Sequence, residues 1–355
     1  MSLLLLGALG VRSTAAFAVA ARLAPRRLRS LTASATRLSA HTEADPHIRY
    51  ATQAHHPPFF TSAELVKEAP GSADDALADP DSAFLLVDGP SGVIGTAGEA
   101  PLVVQGGTAA ALALARPTAY LGSVGATKYW VVQHADPNPG SQLRDIASGL
   151  EPTLATLACR ARAMARWHSE SAFCGKCGSA TSADALGTSR KCTCGQRTFP
   201  RIDPAVIALV VAEDADGVPH ALLGRQASWP PNRYSCLAGF IDYAESAEQA
   251  VAREVLEESG VAVDVGSVAY RMSQPWPDRF KAQSLMLGYR CTVASTGGGG
   301  LPASKAVDGE LDGVTWVTRP ELLVALDTEP GDDGLSIPSG ASVARRLLSE
   351  WALEE

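Results

Sequence analysis

Three glutamates, Glu254, Glu257 and Glu258, follow Arg253 in a stretch free of Gly and Pro until Gly260. On a helix their i, i+3 and i+4 spacing places the carboxylates on one face, where like charges repel and destabilise the bare helix. A hard divalent cation resolves that repulsion, because Mg²⁺ and Mn²⁺ prefer carboxylate oxygens and bridge phosphate groups. Such an ion offsets phosphoanhydride charge and lowers the pKa of a bound water. Acidic faces that are merely solvated are common, so the spacing alone leaves both readings open.

A second constellation lies upstream. Four of the seven cysteines fall between 174 and 194, as Cys174 and Cys177, then Cys192 and Cys194. Clustering of this kind favours metal binding over a disulfide framework. Two thiolate knuckles suit tetrahedral Zn²⁺, and the Gly after Cys177 and after Cys194 lets the chain turn its N–H groups toward sulfur. Four thiolates leave no position for water, so this zinc is expected to be structural. The second knuckle, Cys192-Thr193-Cys194, is one residue shorter than the usual Cys-x-x-Cys, which leaves ligation by Cys192 open. Cys159, Cys236 and Cys291 are isolated and read as small core residues.

The elements around these residues follow from hydrophobic pattern. Short apolar runs at 84–87, 101–104, 119–121 and 129–132, bounded by Gly and Pro, predict strands of a small domain. Residues 153–168 predict a helix leading into the cysteines. The run from Ala205 to Val211 predicts a strand buried on both faces, and 220–225 returns as a hairpin. Residues 237–241 precede a strong helix. Ser246 caps it with Gln249 as the reciprocal partner, and Gly260 ends it. Strand-like alternation resumes at Val261, a Gly-rich turn spans Ser295 to Gly300, and a last helix runs from about Ala341 to Leu353.

The formal charge of −8 argues against a nucleic-acid-coating surface, which needs a basic excess. Hydrophobic content of 46% with 19% charged residues fits a folded chain rather than a disordered one. Residues 1–42 differ: they hold six Arg and no Asp, Glu or Lys, the composition of an organellar targeting peptide. Its apolar run Leu3 to Leu9 is too short to span a bilayer but would serve as a signal h-region. Import into a mitochondrion or plastid is therefore expected, without a peroxisomal Ser-Lys-Leu address at the C-terminus and without a membrane span.

Gly239, Glu245 and the stretch from Arg253 to Val261 fill every fixed position of a 23-residue pattern, the Nudix box. By it the chain is identified as resembling the Nudix hydrolase family. The resemblance implies an α+β fold: a Nudix α/β/α sandwich over 201–355, preceded by a degenerate Nudix-like domain over 43–150, a connecting helix over 151–170 and a zinc ribbon over 171–200. It implies Mg²⁺ or Mn²⁺ ligation by Glu254 and Glu258, Glu257 as a further ligand or the general base, and Arg253 paired with Glu245. It adds Glu310 and the backbone carbonyl of Ala238 as metal ligands.

A ribbon ahead of the box, with Trp167, His168 and the segment Ser273-Gln274-Pro275-Trp276-Pro277, is similar to the NADH pyrophosphatase subfamily. That likeness implies hydrolysis of NADH or NAD⁺ to NMNH or NMN and AMP, by a homodimer. A nicotinamide dinucleotide needs aromatic faces for its bases and donors for its amide and phosphates. Trp276 and Phe240 would supply stacking and Ser273 and Gln274 hydrogen bonds; the family correspondence adds Phe199, Pro275, Pro277, Gln283 and Ala344. Five residues, 278–282, separate this segment from Gln283-Ser284-Leu285-Met286, where the bacterial form of the family has two. The rival readings are an ADP-ribose or coenzyme A pyrophosphatase, removal of an NAD cap from RNA, and a non-catalytic zinc-ribbon adaptor.

Overall fold

The computed structural model describes residues 72–98, 100–135, 139–146, 149–276, 283–295, 300–327, 334–338, 340 and 342–354. The expected leader over 1–42, Pro277, the loop 278–282 and most of the Gly-rich turn after Ser295 lie outside the described residues. The chain divides into two compact units between Arg201 and Ile202.

In the first unit β1 (Ser82–Val87) is central. It pairs antiparallel with β2 (Ile94–Ala97) and parallel with β6 (Thr127–Gln133). Short strands β3 (Ala100–Pro101) and β4 (Val103–Gln105) pair with β2 and β1, while β5 (Ala119–Val124) pairs with β6 and β7 (Gly140–Ser141) with β2. All six residues of β1 are buried, with Phe84, Leu86, Tyr120, Trp130 and Val132 in one core. Three helices of four residues, α1 (Ala73–Ala76), α2 (Ala109–Leu112) and α3 (Leu143–Ile146), fill connections. The long α4 (Pro152–Glu170) starts as proline at the first helical position dictates, with the Glu151 carboxylate accepting from the N–H groups of Thr153 and Leu154. The unit ends in a three-stranded antiparallel sheet of β8 (Thr181–Ala183), β9 (Arg190–Cys192) and β10 (Arg197–Thr198). His168 ties this sheet to α4: its Nε2 meets the Gly187 carbonyl at 2.8 Å and its Nδ1 the Arg190 guanidinium at 2.9 Å.

The second unit repeats the connectivity. Here β11 (Asp203–Glu213) is central, antiparallel to β12 (Pro219–Arg225) and β13 (Leu237–Phe240), and parallel to β15 (Ser284–Thr292). Strand β14 (Ala269–Trp276) pairs with β15 as β5 does with β6, and β16 (Gly313–Thr318) pairs with β12 as β7 does with β2. Eight consecutive residues of β11, Ala205 to Ala212, are buried, as expected of a strand covered on both faces. Helix α5 (Ala247–Ser259) follows β13, and α6 (Arg319–Asp327) and α7 (Val343–Ala352) close the chain. The strand expected from Val261 begins only at Ala269. Asp264 accepts from the Gly266 N–H and sets a single 3₁₀ turn over Val265–Ser267 first.

Helix α5 is fixed at both ends and along one stripe. Ser246 and Gln249 form both bonds of the capping box, and Gly260 adopts φ 71° to close the last turn. Ala250, Val251 and Val255 are at most 1% exposed against Val206, Val210 and Leu237 of the sheet. Each buried valine contributes roughly 1.5–3 kcal/mol, so the rotation of the helix about its axis is set by apolar burial. Replacement of Ser246 by Ala is expected to cost the second unit about 1 kcal/mol of unfolding free energy. A denaturant titration of the variant against the parent checks this, and an unchanged midpoint would contradict the capping assignment.

Candidate active site and thiol cluster

The buried stripe of α5 decides where the acids stand. Positions 250, 251, 254, 255 and 258 lie along one side of a helix, so Glu254 and Glu258 are drawn to the rim of the apolar face. Glu258 is 5% exposed, whereas the side chain of Glu257 is 51% exposed. Beside them β13 runs past with Gly239 in place. A Cβ built on Gly239 would meet the Glu254 carboxylate carbon at 1.9 Å and both its oxygens at 2.1 Å. Only a residue without a side chain lets that carboxylate lie against the strand. Glu258 Oε2 accepts from the Ala238 N–H at 3.2 Å, so the acid is held by the same strand.

Arg253 is the hub. Its guanidinium donates to Glu245 through Nε at 2.8 Å and Nη2 at 2.9 Å, to Glu254 Oε1 at 2.8 Å, to Glu257 Oε2 at 2.9 Å and to the Phe240 carbonyl at 2.8 Å. Bidentate pairing with Glu245 bears out the expected partnership and anchors the loop ahead of α5. That loop closes through Ala244 at φ 61°, a left-handed conformation unusual for a residue with a Cβ. Arg253 holds the Glu245 carboxyl below its ordinary range, and Glu245 in turn raises the Arg253 pKa.

The remaining acids repel one another. Burial pushes the Glu258 carboxyl up to about 8, reinforced by the charges of Glu254, Asp308 and Glu310. Glu254 is raised by burial, with Glu257 and Glu310 adding to the shift against the pull of Arg253. Glu310 thus lies within electrostatic reach of Glu254 and Glu258, and Asp308, which the sequence reading did not single out, adds its charge at Glu258. Asp308 Oδ1 also accepts from the Glu310 N–H, fixing the turn between them. A concentration of carboxylates this short of positive charge is the environment in which a divalent cation gains most. Among the described residues the carboxylates do not converge as tightly as the four thiols, whose ligand atoms all lie within 4.8 Å of one another. Arg253 draws Glu254 and Glu257 toward itself instead.

The expected substrate contacts divide. Phe240 is 41% exposed at the end of β13, and Ser273, Pro275 and Trp276 are half-buried along β14, an edge strand that tolerates the proline. Gln283, also half-buried, accepts through its backbone carbonyl from the Asp203 N–H. Two expected contact residues lie in the core. Gln274 is fully buried and its Oε1 accepts from the Val343 N–H at 2.8 Å, so its side chain caps α7. Ala344 is 2% exposed and its N–H donates to the Ser342 hydroxyl, which places it in the core at the same helix end. Period-two alternation along a strand could have sent Gln274 inward, opposite Ser273. The sequence gives no sign of the partner that awaits it there. Phe199 belongs to the first unit, where it is 61% exposed.

In the first unit the thiols assemble as their spacing suggests. Cys174 Sγ lies 3.8 Å from Cys194 Sγ, and Cys177 Sγ lies 3.5 Å from Cys192 Sγ. Tetrahedral thiolates at about 2.3 Å from zinc stand roughly 3.8 Å apart, so the set fits the ion. Cys192 takes its place with the others despite the short second knuckle. Gly178 and Gly195 adopt φ 74° and 89°, the turn that the glycine after each knuckle supplies. The N–H and hydroxyl of Ser179 bring the Cys177 thiol down, while Cys194 is held up by the neighbouring thiols, so without a cation the four do not ionise together. Cys159, Cys236 and Cys291 are buried as expected, and burial pushes each thiol up to about 12.

A NUDIX domain matches residues 202–336, the body of the second unit. The chain is 35% identical over 291 residues to the NAD-capped RNA hydrolase NudC of Mycobacterium bovis, covering 77% of this chain and 87% of that protein. It is 41% identical over 180 residues to Nudix hydrolase 19, chloroplastic, of Arabidopsis thaliana, covering 48% of this chain and 37% of that one. It is 36% identical over 206 residues to the NAD-capped RNA hydrolase NUDT12 of Homo sapiens, covering 56% and 41%. The matched stretch thus spans less than half the length of the plant and human relatives.

Gly239→Ala tests the packing of Glu254 against β13. The added methyl is expected to displace the carboxylate and weaken Mn²⁺ binding, followed by electron paramagnetic resonance, on the order of 10–100-fold. Unchanged affinity would mean that Glu254 need not lie against the strand.

Proposed function

The chain belongs to the Nudix hydrolase family, and from that premise we propose that it cleaves the pyrophosphate of a nicotinamide dinucleotide, either free NADH or NAD⁺ or the NAD cap of an RNA. The observation that carries this reading is the intact box. Its acids are brought to the rim of α5 and organised by Arg253, in a chain that aligns with most of a relative named as an NAD-capped RNA hydrolase. The products are NMNH or NMN with AMP, or with an RNA bearing a 5′-monophosphate.

The residues divide the work. Glu254 and Glu258 would hold Mg²⁺ or Mn²⁺, with Glu310 and the Ala238 carbonyl as further ligands. When bound, the cation supplies charge neutralisation of the pyrophosphate and an acidified water. Glu257, the most exposed of the three box acids, would serve as the general base, its carboxylate fixed by Arg253. Arg253 and Glu245 are positioning residues, since their bonds run to each other and to the box acids and Phe240. Phe240 and Trp276 would offer faces to the bases, and Ser273, Pro275 and Gln283 would border the dinucleotide.

Zn²⁺ held by Cys174, Cys177, Cys192 and Cys194 would hold the small sheet β8–β10 together. The matching strand connectivity of the two units supports reading the first as a degenerate Nudix-like copy. Where α5 carries the acids, its counterpart α2 is the four residues Ala109–Leu112, with no carboxylate. Assembly as a homodimer and import into a mitochondrion or plastid complete the proposal. No helix among the described residues is long and apolar enough to cross a membrane.

A product-resolved assay against NADH, NAD⁺, ADP-ribose, coenzyme A and NAD-capped RNA, with Mg²⁺ and with Mn²⁺, tests the reading. Cleavage of the nicotinamide substrates well ahead of ADP-ribose and coenzyme A is expected; equal rates on ADP-ribose and NADH would contradict it. Glu258→Gln is expected to lower turnover by about 10³-fold or more with the circular dichroism spectrum unchanged. Retained activity would remove Glu258 from the site. Elemental analysis is expected to find about one zinc per chain, lost together with thermal stability in Cys192→Ser. Stoichiometric zinc in that variant would exclude Cys192 as a ligand.

A further inference from the structure

Charge is distributed unevenly along this acidic chain. Residues 171–201 carry Lys176, Arg190, Lys191, Arg197 and Arg201 against one acid, Asp184, although the whole chain has a formal charge of −8. Asp184 is satisfied within its own turn, accepting from the N–H groups of Leu186 and Thr188 and the hydroxyls of Thr188 and Ser189. Arg190 points inward, donating to Thr181 and to His168. The other side of the sheet is left with cations.

Strand register defines that side. Ser182, Lys191 and Arg197 are cross-strand partners in one row, and all three are exposed; the alternate row, Ala183, Arg190 and Thr198, is half-buried. Lys191 and Arg197 therefore stand directly opposite one another on the outer face. Like charges in that position destabilise a sheet. Among the described residues neither has a carboxylate partner. Aromatic rings flank the row. Phe199, two residues beyond Arg197, is 61% exposed with the Arg197 guanidinium 5.9 Å from its ring centroid. Phe173, paired with Ala180 two residues before Ser182, is 71% exposed, and Lys176, three residues on in sequence, is also exposed.

Cations alone would suit any polyanion, and exposed rings alone any apolar partner. Interleaved on one small surface, they match a strand whose phosphates meet the cations while unpaired bases meet the rings. A duplex keeps its bases stacked internally and has no use for the rings. We propose that the outer face of the β8–β10 sheet binds single-stranded RNA, with phosphates at Lys191 and Arg197 and bases against the flanking phenyl groups. The proposal rests on the reading that the pyrophosphate attacked is the NAD cap of an RNA. The basic excess needed for phosphate contact is local to this part of an acidic chain.

The test uses the full zinc-loaded protein and a fluorescein-labelled single-stranded RNA of about 20 nucleotides, with and without a 5′ NAD cap. The double variant Lys191→Glu, Arg197→Glu is expected to weaken RNA binding, read by anisotropy, roughly tenfold or more. The slope of log affinity against log salt should fall by about 1.4, since each single-strand phosphate contact contributes about 0.7. Decapping kcat/KM should drop by the same factor, while NADH hydrolysis and zinc content stay at parental values. Phe173→Ala is expected to weaken binding with the salt slope preserved. Parental RNA affinity and slope in the double variant would overturn the proposal. So would equally tight, equally variant-sensitive binding of poly-glutamate, which would assign the face to an acidic protein. Uncapped RNA bound through this face without any decapping would uphold the face and refute the cap reading.

Discussion

Arg253 is the interaction on which the second unit's chemistry depends. Apolar burial of Val251 and Val255 rotates α5 so that Glu254 and Glu258 are carried to the edge of the core, where a lone carboxylate is costly. Part of that cost is offset by one guanidinium that reaches Glu245, Glu254 and Glu257 together. The rest is not offset. Glu258 is raised to about 8, chiefly by burial and then by the acids around it. A site that keeps acids close and incompletely neutralised is unfavourable for the empty protein and favourable for a bound cation, which is the condition metal-assisted pyrophosphate cleavage requires.

The same economy governs Gly239. Pairing of β13 with β11 puts Val206 opposite Gly239 and brings the strand alongside α5. The missing side chain is occupied by the Glu254 carboxylate, and the neighbouring Ala238 N–H is occupied by Glu258. Strand and helix therefore form one device, so a fixed glycine fourteen residues before a fixed arginine has a steric reason. In the first unit, whose strand connectivity matches, β4 is followed by the four-residue α2, which carries no acid.

Much of this was legible from residue type and spacing. The capping box at Ser246 and Gln249, the αL glycine at 260, the double-sided burial of β11 and the convergence of four thiols all follow from local rules that tertiary packing did not override. What stayed illegible depended on contacts between distant segments. Gln274 looked like a polar group offered to a ligand, yet β14 turns it inward to the first N–H of α7, which lies sixty-nine residues away in sequence. Ala344 is buried at that same junction. Asp308 was not singled out by spacing, and only folding brings its charge to bear on Glu258. The net charge of the chain also averages over a sheet whose outward row carries Lys191 and Arg197.

The central claim is that the acids arranged by Arg253 gather a divalent cation for attack on a pyrophosphate. Anomalous diffraction from a crystal grown with Mn²⁺ and a non-hydrolysable dinucleotide tests it most directly. The account predicts a manganese peak about 2.1 Å from carboxylate oxygens of Glu254 and Glu258, bridging to the pyrophosphate. Manganese on the pyrophosphate without either glutamate, or a pyrophosphate bound away from α5, would contradict it.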